Sequence, residues 1–233
     1  MTDNASVQIN RLVAVMDQLL APGGCPWDAE QTHRSLVQYL LEETYEVVEA
    51  IEQEDQAGLR EELGDLLLQV VFHSAIAERQ GVFDLADVAG DVADKLIRRH
   101  PHVFAEETEP LDAAQTHIRW DRIKAAEKSR KSVLDGIPTA QPAVARLLKV
   151  IGRAQRGGLD IDQLIEPLLP NSEQPAQDAA TEVGAQLLKT IVKAQSLDVD
   201  AEASLRAVTR QLESRIRHQE EESMTRKKVG LCK

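Results

Sequence analysis

Apolar residues recur at i, i+3, i+4 and i+7 through almost the whole chain, and that period is helical. Such stretches run from Val7 to Leu20, Leu36 to Ile51, Leu59 to Ala77, Leu85 to Ile97, Ala113 to Ala126, Ala143 to Ala154, Ala179 to Ala194 and Ala201 to Ile216. No alternating run is closed by an Asn-Gly or Asp-Gly turn, so nothing reads as a β-hairpin. The pattern predicts an all-α fold built of helical bundles. Pro22-Gly23-Gly24-Cys25-Pro26 ends the first helix, Gly81 closes the third and Pro101 stops the fourth. Residues 157–177 carry Pro167, Pro170 and Pro175 and read as a long loop with little regular structure.

Two acidic pairs lie on consecutive helical stretches, Glu43-x-x-Glu46 and Glu62-x-x-Asp65. Each has i,i+3 spacing, and the chain between them is long enough to finish one helix, turn and start an antiparallel neighbour. Glu43 and Glu62 fall at the edge of an apolar arc, with Glu46 and Asp65 just beyond on the same flank. Carboxylates crowded on matching flanks repel one another unless a cation neutralises them. Hard divalent cations such as Mg²⁺ and Mn²⁺ prefer oxygen ligands, and metals held this way commonly act on phosphates. Read alone, either pair is more readily a solvated helix face in a chain with 39 Asp and Glu, and only the two together, on matching flanks, make a metal site equally good a reading.

The formal net charge of −12 argues against a role in coating DNA or RNA. A small polyanion remains compatible if metal ions and a few local cations offset its charge. The polar start, MTDNASVQINR, has no apolar signal region, and no run approaches the ~18 apolar residues of a membrane span. Cys25 and Cys232 form neither a disulfide framework nor a CxxC site. The expectation is a soluble cytoplasmic protein.

Glu62-Leu63-Gly64-Asp65-Leu66-Leu67-Leu68 has a weaker counterpart in Glu182-Val183-Gly184-Ala185-Gln186-Leu187-Leu188. The expected organisation is a helical lobe over residues 1–130 that carries both acidic pairs, a linker over 131–142 marked by Gly136-Ile137-Pro138, and a degenerate helical lobe over 143–233. Ala185 stands where the first copy has Asp65, and the counterpart of the first acidic pair is a Pro-rich stretch. One working site is expected.

Several motifs resemble the MazG-type nucleoside triphosphate pyrophosphohydrolases. They are Gly24-Cys25-Pro26-Trp27-Asp28-x-Glu30-Gln31-Thr32-His33, Leu41-Glu42-Glu43-Thr44-Tyr45-Glu46, Glu61-Glu62-Leu63-Gly64-Asp65-Leu66-Leu67 and Asp94-Lys95-Leu96-Ile97-Arg98-Arg99-His100-Pro101-His102-Val103-Phe104. The resemblance covers most of residues 20–128. It implies an all-α enzyme that uses Mg²⁺, with Mn²⁺ as an alternative, to split nucleoside triphosphates into a monophosphate and pyrophosphate. Glu43, Glu46, Glu62 and Asp65 would be the metal ligands. Glu46 or its neighbour Glu42 would take a proton from water, Glu42 being equally readable as a solvated residue.

Lys95 and Arg99 share a helix face with Arg98 nearby, and the resemblance assigns them to the triphosphate; a surface pairing with Asp91 or Asp94 is the alternative. Trp120 and Lys124 resemble the family's Trp-x-x-Ile-Lys element. Trp120 and Trp27 would stack on the base or anchor the core, and Lys124 would reach a phosphate. His33 reads as structural or substrate-side. A homodimer is expected, since helical units of this kind complete their core across a two-fold interface. The alternatives are a non-catalytic nucleotide-binding regulator or scaffold and, less in keeping with the long motif run, a phosphoribosyl-ATP pyrophosphohydrolase.

Overall fold

The computed structural model describes residues 2–104, 112, 115–116, 119–120, 123, 131–170 and 176–230, which form helices and turns without a strand. The chain divides into two compact units, Met1–Lys124 and Ala125–Lys233. No helix among the described residues is long and apolar enough to cross a membrane. The expected helix at Ala113 to Ala126 lies largely outside the described residues, as do Lys124 and Cys232.

The first unit contains α1 (Thr2–Leu20), the single turn α2 (Pro26–Ala29), α3 (Val37–Glu52), α4 (Gln56–Arg79), α5 (Leu85–Arg99) and the single turn α6 (Pro101–Phe104). The Gly-Gly turn after α1 needs its glycines. Gly23 adopts φ +85°, and a Cβ on Gly24 would collide with the carbonyl oxygens of Leu19 and Gln18. The tight closure lets Cys25 N–H donate to Leu19 O at 2.8 Å. Pro26 then starts α2, where a missing N–H costs nothing.

Helices α3 and α4 form an antiparallel hairpin. Glu54 reverses the chain with φ 57°, and the Asp55 carboxylate caps α4 by accepting from Ala57 N–H at 3.0 Å and Gly58 N–H at 3.1 Å. The three-residue connection returns the chain alongside α3, and the two helices pack against each other along their length as antiparallel neighbours. At the far end Asp84 and Asp87 reciprocally cap α5, with N–H to carboxylate distances of 2.8 and 3.0 Å.

The core gathers at the C-terminal half of α4. Met16 and Leu20 of α1, Leu36, and Val71, Phe72, Ala75 and Ile76 of α4 are buried together, with Leu12, Val13, Tyr39, Leu68 and Leu85 packed around them. The N-terminal half of α4, which carries Glu62 and Asp65, sits outside this core. The apolar arcs predicted for α3 and α4 are only partly covered: Val37, Leu41, Leu63 and Tyr45 are 49–51% exposed.

The second unit contains α7 (Ala143–Arg156), α8 (Ile161–Ile165), a 3-10 turn at Glu166–Leu168, α9 (Ala179–Ser196) and α10 (Ala201–Gly230). Ile151, Ala154, Ala185 and Ile191 are its buried apolar residues. The stretch read as a linker is fastened to α7, because Arg153 Nη1 donates to Val133 O at 3.2 Å and Asp135 O at 2.7 Å. The stretch at 157–177 is also more regular than expected. Asp160 caps α8 through Gln163 N–H, and Pro167 sits in the first turn of the 3-10 helix, where proline is tolerated.

Candidate active site

The α3–α4 hairpin sets its carboxylates opposite one another. A step forward on α3 is a step backward on α4, so Glu43 faces Asp65 while Glu46 faces Glu62. Glu43, Glu62 and Asp65 are half-buried, and each offers a carboxylate oxygen within 4.8 Å of the others. Glu46, more exposed, hydrogen-bonds to both Glu43 and Glu62. All four acids named from the sequence therefore meet in one cluster.

Their mutual cost shows in their protonation. Glu43 is raised above the usual carboxylate range by partial burial, then by the charges of Asp65 and Glu46, the hydrogen bond with Glu46 and the charge of Glu62. Glu62 is raised by partial burial, then by the charges of Glu46, Glu61 and Asp65 and its bond with Glu46. Two ionised carboxylates cannot share a hydrogen bond without a proton between them, so the cluster gains by taking up a proton or a cation.

The donor set fits a hard divalent ion. All ligating atoms are oxygen, and opposite oxygens around one Mg²⁺ lie ~4.2 Å apart, so small side-chain rotations bring these three onto one ion. Glu46 leaves a fourth carboxylate for a second ion or for a proton. Glu42 lies on the exposed surface of α3, beside Glu43.

The basic residues collect at the C-terminal end of α5, which packs against α4. Lys95 is half-buried and Arg98 exposed. Arg99 is buried, with its guanidinium 6.0 Å from the centroid of the Trp120 ring. His100 Nδ1–H donates to Leu96 O at 2.7 Å, and its ring leans on His102. Trp120 thus engages a cation of α5 and is half-buried. Trp27, half-exposed, meets Tyr39 edge-on at 5.7 Å and 78°.

The sequence reading passed over His73 and Gln69, polar residues within the most buried part of α4. His73 Nδ1 lies 2.8 Å from His33 Nδ1. A histidine directly after the apolar run Val70-Val71-Phe72 and before Ala75-Ile76-Ala77 was the available signal.

The MazG nucleotide pyrophosphohydrolase domain matches residues 31–104, which hold the acidic cluster and α5. The chain is 40% identical over 230 residues to the nucleoside triphosphate pyrophosphohydrolase of Escherichia coli (strain K12), covering 91% of this chain and 87% of that one. It is 37% identical over 228 residues to the nucleoside triphosphate pyrophosphohydrolase/pyrophosphatase MazG of Thermotoga maritima, covering 93% and 87%. With the nucleoside triphosphate pyrophosphohydrolase of Mycobacterium tuberculosis it shares 44% identity over 207 residues, 88% of this chain and 56% of that one. With similarity spanning nearly the whole chain and the domain match falling on the helices that carry the carboxylates, the chain belongs to the MazG family of nucleotide pyrophosphohydrolases.

Proposed function

We propose that the chain hydrolyses ribo- or deoxyribonucleoside triphosphates at the α–β phosphoanhydride, releasing nucleoside monophosphate and pyrophosphate. The convergence of four carboxylates from two helices carries this reading. Mg²⁺, or Mn²⁺ in its place, would be held by Glu43, Glu46, Glu62 and Asp65. Bound there, it would neutralise phosphate charge and lower the pKa of a bound water. The protein's own part is placement. Glu46 or Glu42 takes the proton as the water oxygen bonds to phosphorus and the bridging oxygen departs with the other phosphate. Lys95, Arg98, Arg99 and Lys124 bind the outer phosphates, and Trp27 and Trp120 flank the base.

The first lobe does this work and the second does not. Ala185, at the position matching Asp65, is buried at 7% exposure, where an unpaired carboxylate would be strongly penalised. A homodimer fits the uncovered apolar stripes. Val37, Leu41 and Tyr45 recur every fourth residue on α3, and Leu63, Leu67 and Val70 lie opposite them on α4, all exposed. A second copy would cover both stripes beside the acidic cluster. The product chemistry suits clearance of unwanted nucleotides from the cytoplasmic pool.

The test is a panel of ribo- and deoxyribonucleoside triphosphates with Mg²⁺, with products identified by chromatography. Monophosphate and pyrophosphate in equal amounts are expected. Release of orthophosphate, or binding without turnover, would replace this reading with a phosphatase or a nucleotide-binding regulator.

A further inference from the structure

His33 precedes α3 and His73 lies on α4, and their Nδ1 atoms are 2.8 Å apart with ring planes within 6°. Parallel rings stacked face to face would hold their nitrogens no closer than ~3.5 Å. The ring centroids are 5.1 Å apart, longer than the nitrogen separation by about two ring radii. The rings therefore lie end to end in one plane, with the nitrogens on the line between centres. That is a linear N–H···N hydrogen bond. It admits one hydrogen between the nitrogens, so one ring donates and the other accepts. An ion shared along that line would sit ~2 Å from each nitrogen and hold the two ~4 Å apart, so the 2.8 Å separation of nitrogens that point straight at each other is that of a hydrogen bond.

The donor can be assigned. His73 is the more enclosed ring, and burial, then the charge of His33, lowers its proton affinity, which favours it as the accepting ring. A neutral ring accepting at Nδ1 carries its own hydrogen on Nε2. His73 Nε2 is enclosed without a protein partner, and so is Gln69 Oε1 one turn back on the same face of α4. Gln69 Oε1 is an acceptor of the right kind on that side. His33, exposed, is then the ring that donates.

The bond ties a stiff segment to α4. Gln31 Nε2 donates to Trp27 O at 2.8 Å, Ser35 Oγ donates to Gln31 Oε1 at 2.7 Å, and Ser35 N–H donates to Thr32 Oγ1 at 3.1 Å. Residues from Trp27 to Ser35 are thus bonded to one another as a local unit. His33 stands in the turn that leads into α3, and its contact with His73 sets that turn against α4. We propose that His33 and His73 are positioning residues: their single-hydrogen bridge holds the Trp27 segment and the entry to α3 against α4, presetting the base-side wall of the active site. This rests on the function proposed above. Neither ring touches the reacting atoms, so the bridge acts on substrate binding and leaves the chemical step alone.

The experiment compares His33→Ala with His33→Asn in the full chain. The amide nitrogen of asparagine occupies nearly the place of Nδ1 and donates without titrating. His33→Ala is expected to raise KM about five- to tenfold with kcat within twofold, the loss of one hydrogen bond. His33→Asn is expected to restore most of the binding. Equal KM values for wild type and His33→Ala, no rescue by His33→Asn, or a fall confined to kcat would each overturn the proposal. Nitrogen-15 NMR of the histidines provides a readout that needs no substrate. His73 should show the Nε2–H tautomer with Nδ1 unprotonated, converting to free exchange in His33→Ala. A His73 protonated at Nδ1 in the wild type would overturn the assignment, even where nucleotide turnover is absent and the functional reading itself has failed.

Discussion

Glu43 of α3 and Asp65 of α4 bring carboxylate oxygens within 4.8 Å of each other across the helical hairpin. Neither residue has a cation as its partner in this cluster, and Glu62 and Glu46 add to the negative field. Asp65→Asn keeps the shape and removes the charge. It is expected to lower Mg²⁺-dependent turnover at least ~100-fold, the scale on which metal ions stabilise phosphoryl charge. Far-UV circular dichroism should be unchanged, because Asp65 lies outside the apolar core.

The same crowding gives a pH-dependent stability. Glu43 and Glu62 hold protons more tightly when folded than when unfolded, so their contribution is present below pH ~4.5 and is lost as pH rises through their folded values. Above that window a divalent cation held as proposed would take the proton's place. Millimolar Mg²⁺ or Mn²⁺ should raise Tm at pH 8, and the increment should shrink as pH falls toward 4.5. Removing the metal with EDTA should reverse the gain. A scanning-calorimetry series across pH measures this directly.

Lys95 and Arg99 share one face of α5 but differ in burial. Lys95→Met is expected to raise KM for the triphosphate ~10-fold while leaving Tm unchanged, the loss of one charge-assisted contact. Arg99→Met should raise KM and also lower stability by about 1–2 kcal/mol, since the guanidinium is buried over Trp120. Steady-state kinetics beside thermal melts separates the two.

The apolar stripes of α3 and α4 predict assembly. Leu41 and Leu67 are 50% and 37% exposed, so a glutamate at either site costs little in the folded monomer and much in a buried interface. Leu41→Glu should convert a dimer to monomer in sedimentation velocity. A wild-type monomer at micromolar concentration would remove the assembly proposal.

The turn before the Trp27 segment is tested by Gly24→Ala. The added methyl meets backbone carbonyls of Leu19 and Gln18, which cannot yield without opening the end of α1. The expected loss is about 1–3 kcal/mol by chemical denaturation.

Much of this arrangement was legible in the chain. Helical period marked most of the long helices, and the i,i+3 spacing of the acidic pairs anticipated that they would meet, because a short connection such as Gln53-Glu54-Asp55 favours an antiparallel neighbour. What sequence could not supply was pairing between residues remote in the chain. Nothing local marks His33 and His73 as partners, since each sits in a segment readable by itself. Exposure was equally hidden. The arcs containing Leu41 and Leu67 look like core by period alone, and only the packing of α1 on the other end of α4 shows which part stays open. Short caps such as Asp160 were overlooked because the prolines around them dominated the reading of that stretch.

The α3–α4 carboxylates are proposed to hold metal ions that direct cleavage between the α and β phosphates. Phosphorus-31 NMR of one deoxyribonucleoside triphosphate in ¹⁸O-water, with wild type and Asp65→Asn, tests it most directly. The account predicts monophosphate and pyrophosphate with one ¹⁸O incorporated per cleavage, strict dependence on added Mg²⁺, and no reaction above background for Asp65→Asn. Diphosphate with orthophosphate, turnover that persists in EDTA, or an unimpaired Asp65→Asn would contradict it.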